Sequence, residues 1–112
     1  MEDCLFCNIV AGKVDAQIVD EGDDWVAFRD VAPKAPVHVL VIPKEHSKNI
    51  SEIKDTALLG RLMQATIQVA QKEGLEEDGY RIVNNLGKYG GQAVFHTHIH
   101  ILGKRPMGWP PG

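Results

Sequence analysis

Apolar residues along this chain fall into short runs with two different periods, separated by glycine, proline and acidic turns. Cys4 to Ala11 is mostly apolar and stops at Gly12-Lys13, which predicts a short helix closed by glycine. Gln17 to Asp20 and Trp25 to Arg29 are strand-like, with the turn-forming Glu21-Gly22-Asp23-Asp24 between them. Val31 to Pro36 carries two prolines and predicts a loop. It leads into Val37 to Ile42, a nearly continuous apolar strand stopped by Pro43. Asp55 is placed to cap a long helix reaching about Glu73. Leu58, Leu62, Ala65 and Val69 form its apolar stripe, with Leu59, Met63, Thr66 and Ala70 alongside. Tyr80 to Asn84 predicts a strand, Gly87 to Gly91 a turn, and Val94 to Leu102 the longest strand of all.

This order gives an α+β class: an antiparallel sheet of about five strands, one long helix packed on a face, and a short N-terminal helix. Thr97, Ile99 and Ile101 should face the long helix and leave the opposite face open. With 112 residues and no repeat, linker or low-complexity tract, the chain reads as a single domain, 1–112. A hydrophobic content of 44% and a charged content of 24% are those of an ordinary globular protein. The net charge of −3 gives no reason to expect a nucleic-acid polymer or an anionic membrane as partner. No apolar run approaches the ~20 residues of a membrane span, and the acidic Glu2-Asp3 start lacks the basic character of a signal peptide. A cytoplasmic location is the expectation. Pro106 to Gly112 cannot form regular structure, so its Met107 and Trp109 should dock on something.

Chemistry concentrates in His96-Thr97-His98-Ile99-His100. In an extended segment the three imidazoles share one face, and the β-branched residues between them share the other. A purely structural stripe would be better served by Val or Ile, because each buried imidazole needs a hydrogen-bond partner. A strand rises ~3.3 Å per residue, so the outer two Cα atoms lie ~13 Å apart, and one zinc ion cannot take all three side chains. The spacing fits a row with divided roles. Imidazole titrates near ~6.5; it is a good nucleophile towards phosphorus and, when protonated, a good partner for phosphate oxygens. Just upstream, Gly90-Gly91-Gln92 can either present backbone N–H groups to an anion or simply form a tight turn. Asp30, at a strand end, can hold ribose hydroxyls or cap a turn.

The run His96 to Leu102 matches the His-X-His-X-His-X-X pattern of the histidine triad (HIT) family. Phe28 to His38 resembles that family's nucleoside-binding segment, and Gly90-Gly91-Gln92 its phosphate loop. Met107 to Gly112 is similar to the C-terminus of the Hint branch, the histidine triad nucleotide-binding proteins. The resemblance spans nearly the whole chain and implies a HIT-like fold acting as a homodimer. It implies hydrolysis of purine nucleoside 5′-phosphoramidates, of the adenosine 5′-monophosphoramidase type, through a nucleotidylated histidine. Alternatives are a dinucleoside polyphosphate hydrolase and a nucleotide-binding regulator with vestigial activity.

By the same resemblance His98 is the nucleophile, His100 bonds the phosphate with His38 beside it, and His96 orients His98 through its carbonyl. Asp30 holds the ribose, while Asn85, Gln92 and the Ala93 backbone contact phosphate. Leu5, Phe6, Ile9, Phe28, Val31 and Leu40 line the base pocket, and Trp109 packs near the partner's site. A two-step displacement on histidine requires no cofactor. Ala93 stands where the Hint branch usually has a serine, and Thr97 replaces a usual apolar residue.

Cys4 and Cys7 have C-x-x-C spacing and share one face of a helical turn. They read either as two buried thiols or as metal ligands; a thioredoxin-like redox context is lacking. Some bacterial members of the family bind zinc through such a pair and two histidines, and His46 and His96 match those positions. The implied set, Cys4, Cys7, His46 and His96, would be a closed structural zinc site.

Overall fold

The computed structural model describes residues 2–112. One antiparallel sheet holds β1 (Ile18–Glu21), β2 (Trp25–Arg29), β3 (Val37–Pro43), β4 (Tyr80–Val83) and β5 (Ile99–Gly103), in the spatial order β1-β2-β3-β5-β4. The helices are α1 (Leu5–Val10), α2 (Thr56–Lys72) and the single turn α3 (Gly87–Gly90). The α+β class expected from the sequence is the one found. Among the described residues no helix is long and apolar enough to cross a membrane.

Alternation along the central strands builds two cores. Trp25 and Ala27 of β2, Val39 and Val41 of β3, and Ile99 and Ile101 of β5 pack on one face against Leu62, Ala65, Val69 and Ala70 of α2. Val26, Phe28, Leu40 and Ile42 point to the other face and pack with Cys4 and Phe6. The strands therefore read as continuous apolar runs because both faces are covered. Asp55 caps α2 by accepting from the Ala57 amide, as its position predicts. At the far end Arg29 forks onto Glu73, with bonds of 2.7 and 3.1 Å, and ties the end of β2 to the end of α2.

Three expectations need correction. The histidine face of the sheet is not open, since α1 lays Phe6 across it between Phe28 and His98. The segment from Val94 is not the longest strand: pairing begins only at Ile99, and β3, which includes Pro43, is longer. The Thr97 hydroxyl lies 2.7 Å from Ser47 Oγ, and its amide donates to the Ser47 carbonyl at 2.9 Å. Gly87 to Gly90 forms a helical turn, not a simple reverse turn, and Gly91 closes it in the left-handed region at φ 76°.

Candidate active site and metal-ligand cluster

His96 and His98 lie in the extended segment entering β5, and His100 lies within the strand opposite Leu40 of β3. His38, on β3, has the same parity as Leu40, so its ring reaches the same face. The His98 and His100 ring centroids are 4.9 Å apart, and those of His38 and His100 are 5.2 Å apart.

Each tautomer follows from a fixed partner. The His96 carbonyl lies 2.7 Å from His98 Nδ1 and can only accept, so Nδ1 carries the proton and Nε2 keeps a lone pair. The Lys34 amide donates to His38 Nδ1 at 3.0 Å, which puts the His38 proton on Nε2. That proton faces His100 Nδ1 at 2.9 Å, so neutral His100 carries its own proton on Nε2. Burial, with His98 and His38 as neighbours, pushes His100 down to about 4. Burial also lowers His38, against the pull of Asp30. Asp30 Oδ2 lies 3.5 Å from His38 Nε2, and Oδ1 accepts from the Ala32 amide at 2.8 Å. Asp30, His38 and His100 converge closely enough to surround an ion, but the Lys34 amide keeps a proton on the His38 ring nitrogen that would have to ligate. The trio is a hydrogen-bond relay.

A cavity of about 380 Å³ opens beside this relay, within the usual range for small-molecule sites. Leu5, Phe6, Ile9, Phe28, Val31, Leu40, Asp30, Ala93, His98 and His100 all line it, so every residue assigned to the base pocket arrives there. Val14, Asp15, Ala16, Arg29 and Val94 line it too. Val14 to Ala16 join α1 to β1 and carry no motif that would reveal them. Other assigned residues do not arrive. The Gln92 amide is spent on the Lys48 and Val94 carbonyls and the Gly87 amide, and the Asn85 amide on the Gly90 carbonyl. Both side chains shape the loop. Trp109 is 83% exposed and lies against Arg81 at 6.0 Å, away from the cavity of its own chain.

His96 turns to a second cluster. Its Nε2 donates to the Pro43 carbonyl at 2.8 Å, so the Nδ1 lone pair points at Cys4 Sγ (3.4 Å), Cys7 Sγ (3.5 Å) and His46 Nδ1 (3.3 Å). Cys7 Sγ is also 3.3 Å from His46 Nδ1. Tetrahedral zinc, with bonds of about 2.3 Å to sulfur and 2.0–2.1 Å to nitrogen, requires S···N edges of about 3.5 Å and an N···N edge of about 3.3 Å. The donor set fits that ion. Burial and the neighbouring Cys4 raise the Cys7 thiol, so the thiolate form would need a cation to stabilise it. The Cys7 amide meets Cys4 Sγ at 3.3 Å, and the Pro43 carbonyl orients His96, so backbone groups hold two of the four donors in place.

The HIT domain family model matches residues 11–107. An uncharacterized HIT-like protein of Synechococcus elongatus is 51% identical over 99% of this chain and 98% of its own length. A crystal structure of a HIT family hydrolase from Legionella pneumophila superposes with a TM-score of 0.94 at 46% identity, covering 98% of this chain and all of that one. A histidine triad protein of Clostridium difficile superposes at 0.92 with 35% identity, over 96% of both chains.

Proposed function

Because the chain belongs to the HIT domain family, we propose that it hydrolyses purine nucleoside 5′-phosphoramidates, as a Hint-branch enzyme does. The observation that carries this reading is the His96 carbonyl on His98 Nδ1, which leaves Nε2 as the lone pair of a ring lining the cavity. His98 Nε2 attacks the α-phosphorus; the P–N bond to the amine breaks, and the amine departs with a solvent proton. Water then attacks the same phosphorus and releases the nucleoside monophosphate from His98. His100, neutral and protonated at Nε2, donates to a phosphoryl oxygen, and Asp30 accepts from the ribose hydroxyls. The base lies among Phe6, Ile9, Phe28 and Leu40. Ala93 offers only its backbone amide where the branch usually adds a hydroxyl.

The Cys4, Cys7, His46 and His96 cluster would hold zinc as a structural ion, giving α1 a fixed anchor; none of the steps above passes through it. The active unit would be a homodimer, cytoplasmic, with each Trp109 tail packing near its partner's cavity.

Turnover of adenosine 5′-phosphoramidate tests the reading. Release of AMP by the wild type, lost by about 10³-fold or more in His98→Ala, is the expected result. Activity that survives His98→Ala would falsify the mechanism. AMP binding without turnover would replace the enzyme with a nucleotide-binding regulator, a reading that the missing Ser hydroxyl at Ala93 favours. Faster cleavage of diadenosine polyphosphates would move the substrate class to dinucleotides.

A further inference from the structure

Residues 31–36 form the loop that locks the His38 tautomer; Ala35 is buried, but the loop's backbone has few hydrogen bonds to hold its shape. Pro33 and Pro36 have no amide proton. The Ala32 amide bonds Asp30, the Lys34 amide bonds His38, and the Asp30 amide bonds the His38 carbonyl. All of these lie within the segment from Asp30 to His38. Among the described residues, one hydrogen bond reaches the loop from elsewhere: Arg105 Nε donates to the Lys34 carbonyl at 2.9 Å. The same guanidinium donates through Nη1 to the Pro106 carbonyl at 3.1 Å, which stiffens the fork. Arg105 is aimed there by the fold. Val37 pairs with Gly103, so the start of β3 lies beside the end of β5. Lys104 then reverses the chain in the left-handed region at φ 69°.

We propose that Arg105 is a positioning residue for the catalytic histidines, acting through a chain of three hydrogen bonds: Arg105 to the Lys34 carbonyl, the Lys34 amide to His38, and His38 to His100. The chemical stake is the polarity of His100. With Lys34 in place, His38 donates from Nε2 and His100 presents an Nε2–H. If the Lys34 amide moves away, His38 can carry its proton on Nδ1 and present a lone pair at Nε2. His100 must then protonate Nδ1, and its Nε2 becomes an acceptor facing phosphoryl oxygens, which also only accept. One displaced backbone amide thus converts a phosphate donor into a repulsive neighbour. The effect on turnover rests on the phosphoramidase reading above; the effect on the tautomer does not.

The test combines long-range ¹H–¹⁵N NMR of the imidazoles at neutral pH with kinetics on adenosine 5′-phosphoramidate. The wild type should show His38 and His100 each protonated at Nε2. Arg105→Ala should give His38 a mixed tautomer population and lower kcat by about tenfold, with amide spectra unchanged except near residues 30–38, 98–100 and 103–107. Arg105→Lys, which keeps one donor for the Lys34 carbonyl, should restore much of both. A wild-type His38 protonated at Nδ1 would overturn the relay. An Arg105→Ala protein with an unaltered His38 tautomer would overturn the role of Arg105. If the tautomer shifts as expected while the wild type hydrolyses no phosphoramidate, the positioning role stands and the proposed activity fails.

Discussion

At the scale of single residues, the site is a set of protons placed by backbone groups. Carbonyls at His96 and Pro43 and the amide of Lys34 decide which nitrogen of three rings is free. This placement has a thermodynamic signature. His100 titrates at about 4 in the fold, against ~6.5 in an unfolded chain. Between those values the unfolded chain binds a proton that the native state refuses. The stability is therefore complete above about pH 6.5, falls as the pH drops through this window, and is lost by about pH 4. The loss from His100 should be on the order of 2–3 kcal/mol. Urea unfolding at pH 7 and pH 4.5 measures it, with His100→Asn as reference; equal pH dependence in the two proteins would rule the effect out. Side-chain identities and spacing made the histidine row legible in sequence, whereas the apolar pocket residues came from the family resemblance. Lys34 was not legible, because its contribution is a backbone amide that any residue but proline would supply. Gln92 and Asn85, assigned to phosphate by the resemblance, have their amide nitrogens bonded to backbone carbonyls, a partner that sequence does not reveal.

At the scale of elements, the sequence marked α2 and the central strands clearly, because period and caps agree there. Leu62, Ala65 and Val69 of the stripe are buried and Leu58 partly so, while of the flanking residues Thr66 and Ala70 are buried and Met63 is 42% exposed. Alternation in the histidine segment suggests one long strand, but the chain bends at Val94 to His96 and pairs only from Ile99, because residues 96 and 97 are held by the 43–47 loop and not by a neighbouring strand. α1 is the most dependent element. Six residues are too few to form a stable helix alone, so its position comes from the packing of Phe6 and Cys4 and, in the proposed zinc site, from Cys4 and Cys7 as ligands. Freshly purified protein should carry about one zinc per chain, and less than about half would count against the site. Replacing both cysteines by serine should abolish the metal and lower Tm by roughly 5 °C or more, measured by elemental analysis and calorimetry.

At the scale of the whole molecule, the sheet ends at β4, whose Ile82 is 39% exposed, and the tail leaves Trp109 at 83%. Exposed apolar groups beside an unpaired edge are what a second copy would cover. Sedimentation should give twice the 12.4 kDa chain mass. Trp109→Ala should leave that mass unchanged and raise KM a few-fold; a monomeric wild type would remove the partner's part in the site. The last consequence concerns the walls of the site. Bonds fasten residues 92–98 to residues 43–48: Thr97 amide to the Ser47 carbonyl, Thr97 hydroxyl to the Ser47 hydroxyl and carbonyl, Gln92 to Lys48, and His96 to Pro43. Segments about fifty residues apart in sequence are thereby riveted into one block beside His98. The cavity that His98 lines includes Leu5, 48% exposed, and Val31, 97% exposed, on its wall. In the proposed reaction these two aliphatic side chains border the bound nucleoside and take no part in the chemistry.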